Sequence, residues 1–127
     1  MMNNVKKVCL TVITENQKTK RKAAILAEII IQKLGNDSKI VNIEKYYKFD
    51  NSFKIEIEFN IVENDKYKLN NCLISSADII ASPWLLYYDS EDKSIELIYN
   101  KSENSRIKDL HFNVIKWGHC FVIDRFN

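Results

Sequence analysis

Residues 53–61 read Phe53-Lys54-Ile55-Glu56-Ile57-Glu58-Phe59-Asn60-Ile61, a strict alternation of apolar and polar side chains. Successive side chains of an extended strand point to opposite faces, so this stretch is a strand with one dry face and one wet face. Such a strand belongs to an antiparallel sheet that is covered on one side only. Just upstream, residues 39–49 read as a second strand, expected to place Val41, Ile43, Tyr47 and Phe49 on one face. Asp50-Asn51 supplies the turn that makes the two a hairpin.

Outward from this hairpin the apolar spacing changes from two to helical. Ala23, Leu26, Ala27, Ile30 and Leu34 form one stripe, with Ile31 at its margin, which predicts a helix over 18–34 that Gly35-Asn36 ends. After the polar run Glu63-Asn64-Asp65-Lys66, the residues Leu69, Cys72, Leu73, Ser76, Ala77 and Ile80 repeat that spacing, and Pro83 marks the boundary. Residues 5–14, rich in β-branched side chains, predict a first strand. Trp84 to Tyr88 is a short apolar strand, Asp89-Ser90-Glu91-Asp92 a charged turn, and Ser94 to Tyr99 a further strand.

The last 28 residues are ambiguous. Ile107, Leu110, Val114 and Trp117 have helical spacing, Ser102 or Ser105 would cap that helix, and Gly118 would stop it before a final strand from Cys120 to Ile123. A strand through His111–Ile115 competes, because Phe112 and Val114 also alternate. The helix is the favoured reading. The order through residue 88 is therefore β-α-β-β-α-β, that of an α+β, ferredoxin-like core with two helices on one face of a mostly antiparallel sheet. A C-terminal β-(α)-β extension completes one domain over residues 1–127.

Composition agrees with a folded domain: 46% of the 127 residues are hydrophobic and 28% charged. Two glycines and one proline are too few for glycine-rich phosphate loops or proline-rich linkers. Every 18-residue stretch carries charge, which argues against a membrane span. The first fifteen residues resemble a signal peptide in having lysines before an apolar run, but Thr11, Thr14 and Glu15 interrupt it, and a first strand is the better reading. Cys9, Cys72 and Cys120 are odd in number and flanked by apolar residues, so buried free thiols in the reducing cytoplasm are expected, with one disulfide plus one free thiol as the alternative.

The net charge of +2 conceals an asymmetry. Residues 1–49 carry ten basic and four acidic side chains, residues 50–99 four and ten, and residues 100–127 five and three. The densest basic group, Lys18, Lys20, Arg21 and Lys22, opens the first helix, where exposed amides already disfavour cations. A bound anion or an acidic partner would reverse that penalty; solvated lysines partly compensated by Glu15 are the plainer reading. Asp89, Glu91, Asp92 and Glu96 lie near Trp84, Tyr87 and Tyr88, and aromatic anchors with a charged rim are the chemistry of protein interfaces. The plainer reading here is a solvated hairpin turn. Ile25 and Ile29 fall off the core stripe of the first helix and, if exposed together, would form an apolar contact with a partner or with a second copy of the chain as a homodimer.

Reactive constellations are weaker. His111 and His119 lack metal-ligand spacing with the cysteines, and neither a metal nor a cofactor is expected. Glu56 and Glu58 share a strand face, but that spacing is common to amphipathic strands; with Asp78 they would need to converge to act in hydrolysis. The same two glutamates oppose phosphate, so nucleic acid is disfavoured as a partner. The expected function is a non-enzymatic protein-binding domain, an immunity- or antitoxin-type inhibitor of a cognate toxic enzyme. Two alternatives stay open: a small-ligand-binding or enzymatic domain whose sheet cleft is lined by Tyr46, Tyr47 and Trp84, and a weak nucleic-acid binder acting through the Lys18–Lys22 cluster.

Overall fold

The computed structural model describes residues 5–35 and 37–123. In chain order these form β1 (Val5–Thr14), α1 (Lys20–Leu34), β2 (Lys39–Lys45), β3 (Phe53–Val62), α2 (Lys66–Asp78), β4 (Leu85–Tyr88), β5 (Ile95–Asn100), a 3-10 turn (Leu110–Val114) and β6 (Ile115–Val122). The six strands make one antiparallel sheet in the order β2-β3-β1-β6-β5-β4, and both helices pack on one face.

The α+β class and the βαββαβ element order are as the periodicities predict. The sheet order adds a detail that chain order hides: the position beside β1 that completes a ferredoxin-like core is filled by β6, while β4 and β5 extend the sheet at its far edge. The dry face of β3 sets the register of the interior. Ile57 lies opposite Leu10 and Ile55 opposite Val12. On the other side of β1, Leu10 meets Cys120 and Val12 meets Gly118. The α1 stripe lies over this layer, with Ala23, Leu26, Ala27, Ile30 and Leu34 all buried, as their spacing requires.

The helix ends are satisfied locally. The Thr19 hydroxyl accepts from the Lys22 amide at 3.2 Å, and the Gly35 N–H donates to the Ile31 carbonyl at 2.9 Å. Gly35 takes φ +58, the left-handed conformation that favours glycine after a helix. Asp65 caps α2 by accepting from the Tyr67 amide. Where β1 loses register with β6, the buried Thr14 hydroxyl accepts from the Phe53 amide at 3.0 Å and so keeps that donor paired in the core.

Three expectations are corrected. The favoured helix over 104–117 is a 3-10 turn of five residues, and β6 starts at Ile115 rather than Cys120. The competing strand through His111–Ile115 does not form either. Gly118, expected to stop a helix, sits inside β6, where a Cβ would come 2.7 Å from the Trp84 ring. Secondly, β2 stops at Lys45, and a register shift between Ile40 and Asn42 turns Val41 out to solvent. The side chains packed on the core from β2 are Ile40 and Ile43, and Tyr47 and Phe49 belong to the connection after it. Thirdly, of the cysteines only Cys120 is buried; Cys9 is half-buried and Cys72 exposed, and all three are free.

Candidate functional site

Among the described residues no helix or second sheet covers the side of the sheet away from the helices, and its surface is written by alternate residues of every strand. Pairing puts Lys54, Ile13, Trp117 and Asn100 in one row across β3, β1, β6 and β5. Glu56, Thr11, His119 and Ile98 form the next row, and Glu58, Cys9, Phe121 and Glu96 the one after. The β2–β3 half is charged and internally neutralised. Lys54 lies 3.8 Å from Glu56 and 3.9 Å from Glu44, and Glu58 is approached by both Lys7 and Lys39. Glu56 also accepts from the Asn42 side-chain amide. These pairings tie Glu56 and Glu58 to structural partners, and Asp78 stands on α2, on the opposite face of the sheet. Among the described residues no group of three His, Cys, Asp or Glu side chains is gathered in the manner of metal ligands.

The β6 half is aromatic. Trp117 and His119 have ring centroids 5.8 Å apart, and His119 stacks on Phe121 at 4.7 Å. His119 Nε2 is hydrogen bonded to the Glu96 carboxylate, which fixes the imidazole in the middle of the row. At the end of the sheet where β1 finishes, the β2–β3 connection folds over this row and encloses a cleft of about 580 Å³. Thr11, Ile13, Trp117 and His119, on the open face of the sheet, form its floor, and Tyr46 and Phe49 line it from the β2–β3 connection. Lys54, Lys101 and Lys116 are the charged residues that line it. Of the cleft residues expected from sequence, Tyr46 is present; Tyr47 points to solvent at 85% exposure, and Trp84 lies on the helical side.

Trp84 is held there by its indole N–H, which donates to the Ala77 and Ala81 carbonyls at 3.1 and 2.8 Å. Its ring packs on Tyr99 at 5.5 Å. It therefore serves the interior rather than the acidic edge with which its sequence neighbours group it. That edge is β4. Leu85, Leu86, Tyr87 and Tyr88 are each 49–57% exposed, and among the described residues β4 pairs with β5 alone. Its outer backbone groups thus form an open sheet edge.

The turn after β4 partly consumes its own charge. Asp89 accepts from the Glu91 amide, and Asp92 accepts from both the amide and the hydroxyl of Ser94. Glu96 is engaged by His119. Tyr87, Tyr88, Asp89, Glu91 and Glu96 surround a shallow depression of about 540 Å³ at this corner. The structure thus brings Asp89, Glu91, Glu96, Tyr87 and Tyr88 together, with Asp92 in the supporting turn.

The basic cluster lies elsewhere. β5 runs in the same direction as β1, because each is antiparallel to β6, so the β4–β5 turn lies at the end where β1 begins. Lys18, Lys20, Arg21 and Lys22 precede or open α1 at the opposite end, and all four are exposed. Glu15 does not offset them, since its carboxylate is held by Lys101 at 2.6 Å. Ile25 is 53% exposed beside a groove that it shares with Ile29, Leu110 and Val114, while Ile29 is partly buried against the core.

Trp117, Phe121, Lys116 and Phe49 escaped the sequence reading as site residues. The signal that would have found the first two is the alternation Trp117, His119, Phe121, hidden by the helical spacing of the residues just before it. No helix among the described residues is long and apolar enough to cross a membrane. Comparison with protein-family models, with curated proteins and with solved structures finds no match to this chain.

Proposed function

We propose that this protein is a protein-binding domain, an inhibitor of the immunity or antitoxin type that covers the active-site surface of a cognate toxic enzyme. The observation that carries the reading is the β4 edge: four consecutive large apolar side chains, all about half exposed, on a strand that among the described residues pairs with β5 alone. A strand of the partner that adds to this edge gains main-chain hydrogen bonds, and pockets for Tyr87 and Tyr88 would supply selectivity. Asp89, Glu91 and Glu96 at the same corner suit a basic partner surface, as found around the clefts of enzymes that act on phosphate-bearing substrates. Three free thiols motivate a cytoplasmic site of action.

The test is recovery of the tagged chain from its source cells under gentle extraction, beside the double variant Tyr87→Ala, Glu91→Lys. The wild-type chain is expected to carry one stoichiometric protein. The variant should lose it, because truncating a central aromatic anchor costs about 2 kcal/mol or more of binding. Both positions are exposed, so thermal unfolding of the variant should match that of the wild type. A wild-type chain that emerges alone defeats the reading, and a partner retained equally by the variant removes the β4 edge from it.

A further inference from the structure

The cleft on the open face carries a second assignment, independent of the β4 edge and sharing no residue with that strand. Its three lysines are not equivalent. Lys101 is spent, its ammonium bonded to Glu15 at 2.6 Å and to the Asn113 carbonyl at 2.5 Å. Lys54 is shared between Glu44 and Glu56. Among the described residues Lys116 has an aromatic partner and no carboxylate within ion-pair distance: its Nζ sits 3.8 Å from the centre of the Phe49 ring. Lys116 is thus a half-buried residue whose ammonium lies over a ring face at the wall of the cleft, with no counter-charge among the described residues.

Among the described residues that line the cleft none is acidic, and its floor presents the β6 side chains Trp117 and His119. A planar ring laid on Trp117 and His119 beside Tyr46 would bury its faces against aromatic surface. A negative group on the same molecule would reach Lys116 and form a charge-assisted hydrogen bond in a partly water-excluded site. The volume, about 580 Å³, fits one such molecule rather than a chain of them. A polyanion that continued along the sheet would meet Glu56, in the row of Thr11 and His119, and then Glu58 and Glu96 in the row after it. We propose that this cleft binds a small planar aromatic anion, its ring seated against Trp117 and its phosphate or carboxylate at Lys116.

The test is a titration of the folded full chain followed by the indole N–H resonances of its two tryptophans. The probes are adenosine monophosphate and 2-naphthoate as aromatic anions, adenosine as a neutral ring and inorganic phosphate as an anion without a ring. The Trp117 resonance should move saturably with at least one aromatic anion, while that of Trp84, bonded to Ala77 and Ala81, stays in place. Lys116→Gln should weaken that binding about tenfold or more, with the rest of the spectrum unchanged to show that the variant folds. Response to the nucleotide alone or to the naphthoate alone assigns the negative group as phosphate or carboxylate. The proposal is overturned if neither aromatic anion saturates by millimolar concentration. It is equally overturned if adenosine binds as tightly as its monophosphate and Lys116→Gln changes nothing. Either result leaves the β4 edge untouched, so the two readings fail separately.

Discussion

The three thiols report three environments, and their chemistry follows from where each side chain points. Cys120 faces the helices between Leu10 and Leu97 and is wholly buried, and desolvation there raises its thiol far above the ordinary range. Cys9, one strand away, faces the open side; burial again raises its thiol, opposed by a hydrogen bond with Thr11. Cys72 is exposed on α2. An aromatic disulfide reagent at mildly alkaline pH should therefore label Cys72 first, Cys9 more slowly, and Cys120 only on unfolding. Labelling of Cys120 at the rate of Cys72 would refute its placement. The linkage has a definite sign: a thiol that titrates higher in the folded state leaves the unfolded chain to ionise first. Stability is then fully present below the ordinary thiol value of about 8.5 and declines as pH rises past it. Cys120→Ala should flatten that decline in a series of thermal unfolding curves.

Among the elements, β6 is the one whose residues were hardest to place, and Gly118 shows why it matters. The glycine lies under the Trp84 ring, so Gly118→Ala drives a methyl group into an aromatic side chain whose N–H is anchored to the Ala77 carbonyl of α2 and to that of Ala81 just beyond it. A loss of about 1–3 kcal/mol is expected from overpacking, measured by urea unfolding. An unchanged midpoint would show that Trp84 can move aside. The periodicities of β3 and α1 were legible because each has one wet side: Lys54, Glu56, Glu58 and Asn60 alternate with the core residues of β3, and the α1 stripe is flanked by charge. β6 has apolar groups on both faces, with Ile115, Cys120 and Val122 toward the helices and Trp117 and Phe121 on the open side. Period two is erased there, and the accidental helical spacing of Ile107, Leu110, Val114 and Trp117 prevails. The same effect hid the cleft, whose floor and walls come from β1, β3, β5, β6 and the β2–β3 connection and occupy no single window of sequence. The acidic corner, by contrast, was legible as a cluster because a hairpin keeps neighbours in sequence near in space.

For the molecule as a whole, the charge imbalance between the first and middle thirds of the chain becomes a difference between the ends of the sheet. Two carboxylates of that middle segment, Glu56 and Glu58, are paired on the open face by Lys7, Lys39 and Lys54. What remains toward solvent includes the corner beside β4, while the Lys18–Lys22 cluster stands at the opposite end. The proposed protein contact and the proposed ligand cleft therefore lie on separate parts of one sheet. The corner at β4 offers an edge and carboxylates, and the cleft at the far end offers rings and an ammonium.

The position of β6 has a consequence in time. β1 is hydrogen bonded to β3 on one side and to β6 on the other, with Val8 opposite Val122 across most of the chain's length. During synthesis β1, β2 and β3 can pair early, but the β4–β5 hairpin has no seat on that sheet until the segment 115–122 arrives to bridge it. Closing that long loop precedes the contacts that reward it, so refolding should be slow for a chain of this size, in milliseconds to seconds. Stopped-flow refolding followed by tryptophan fluorescence would measure it, and a microsecond phase accounting for the whole amplitude would contradict it. Until β6 docks, the two halves of the sheet are strangers with open edges, and the cell must shelter them or make the last strand quickly.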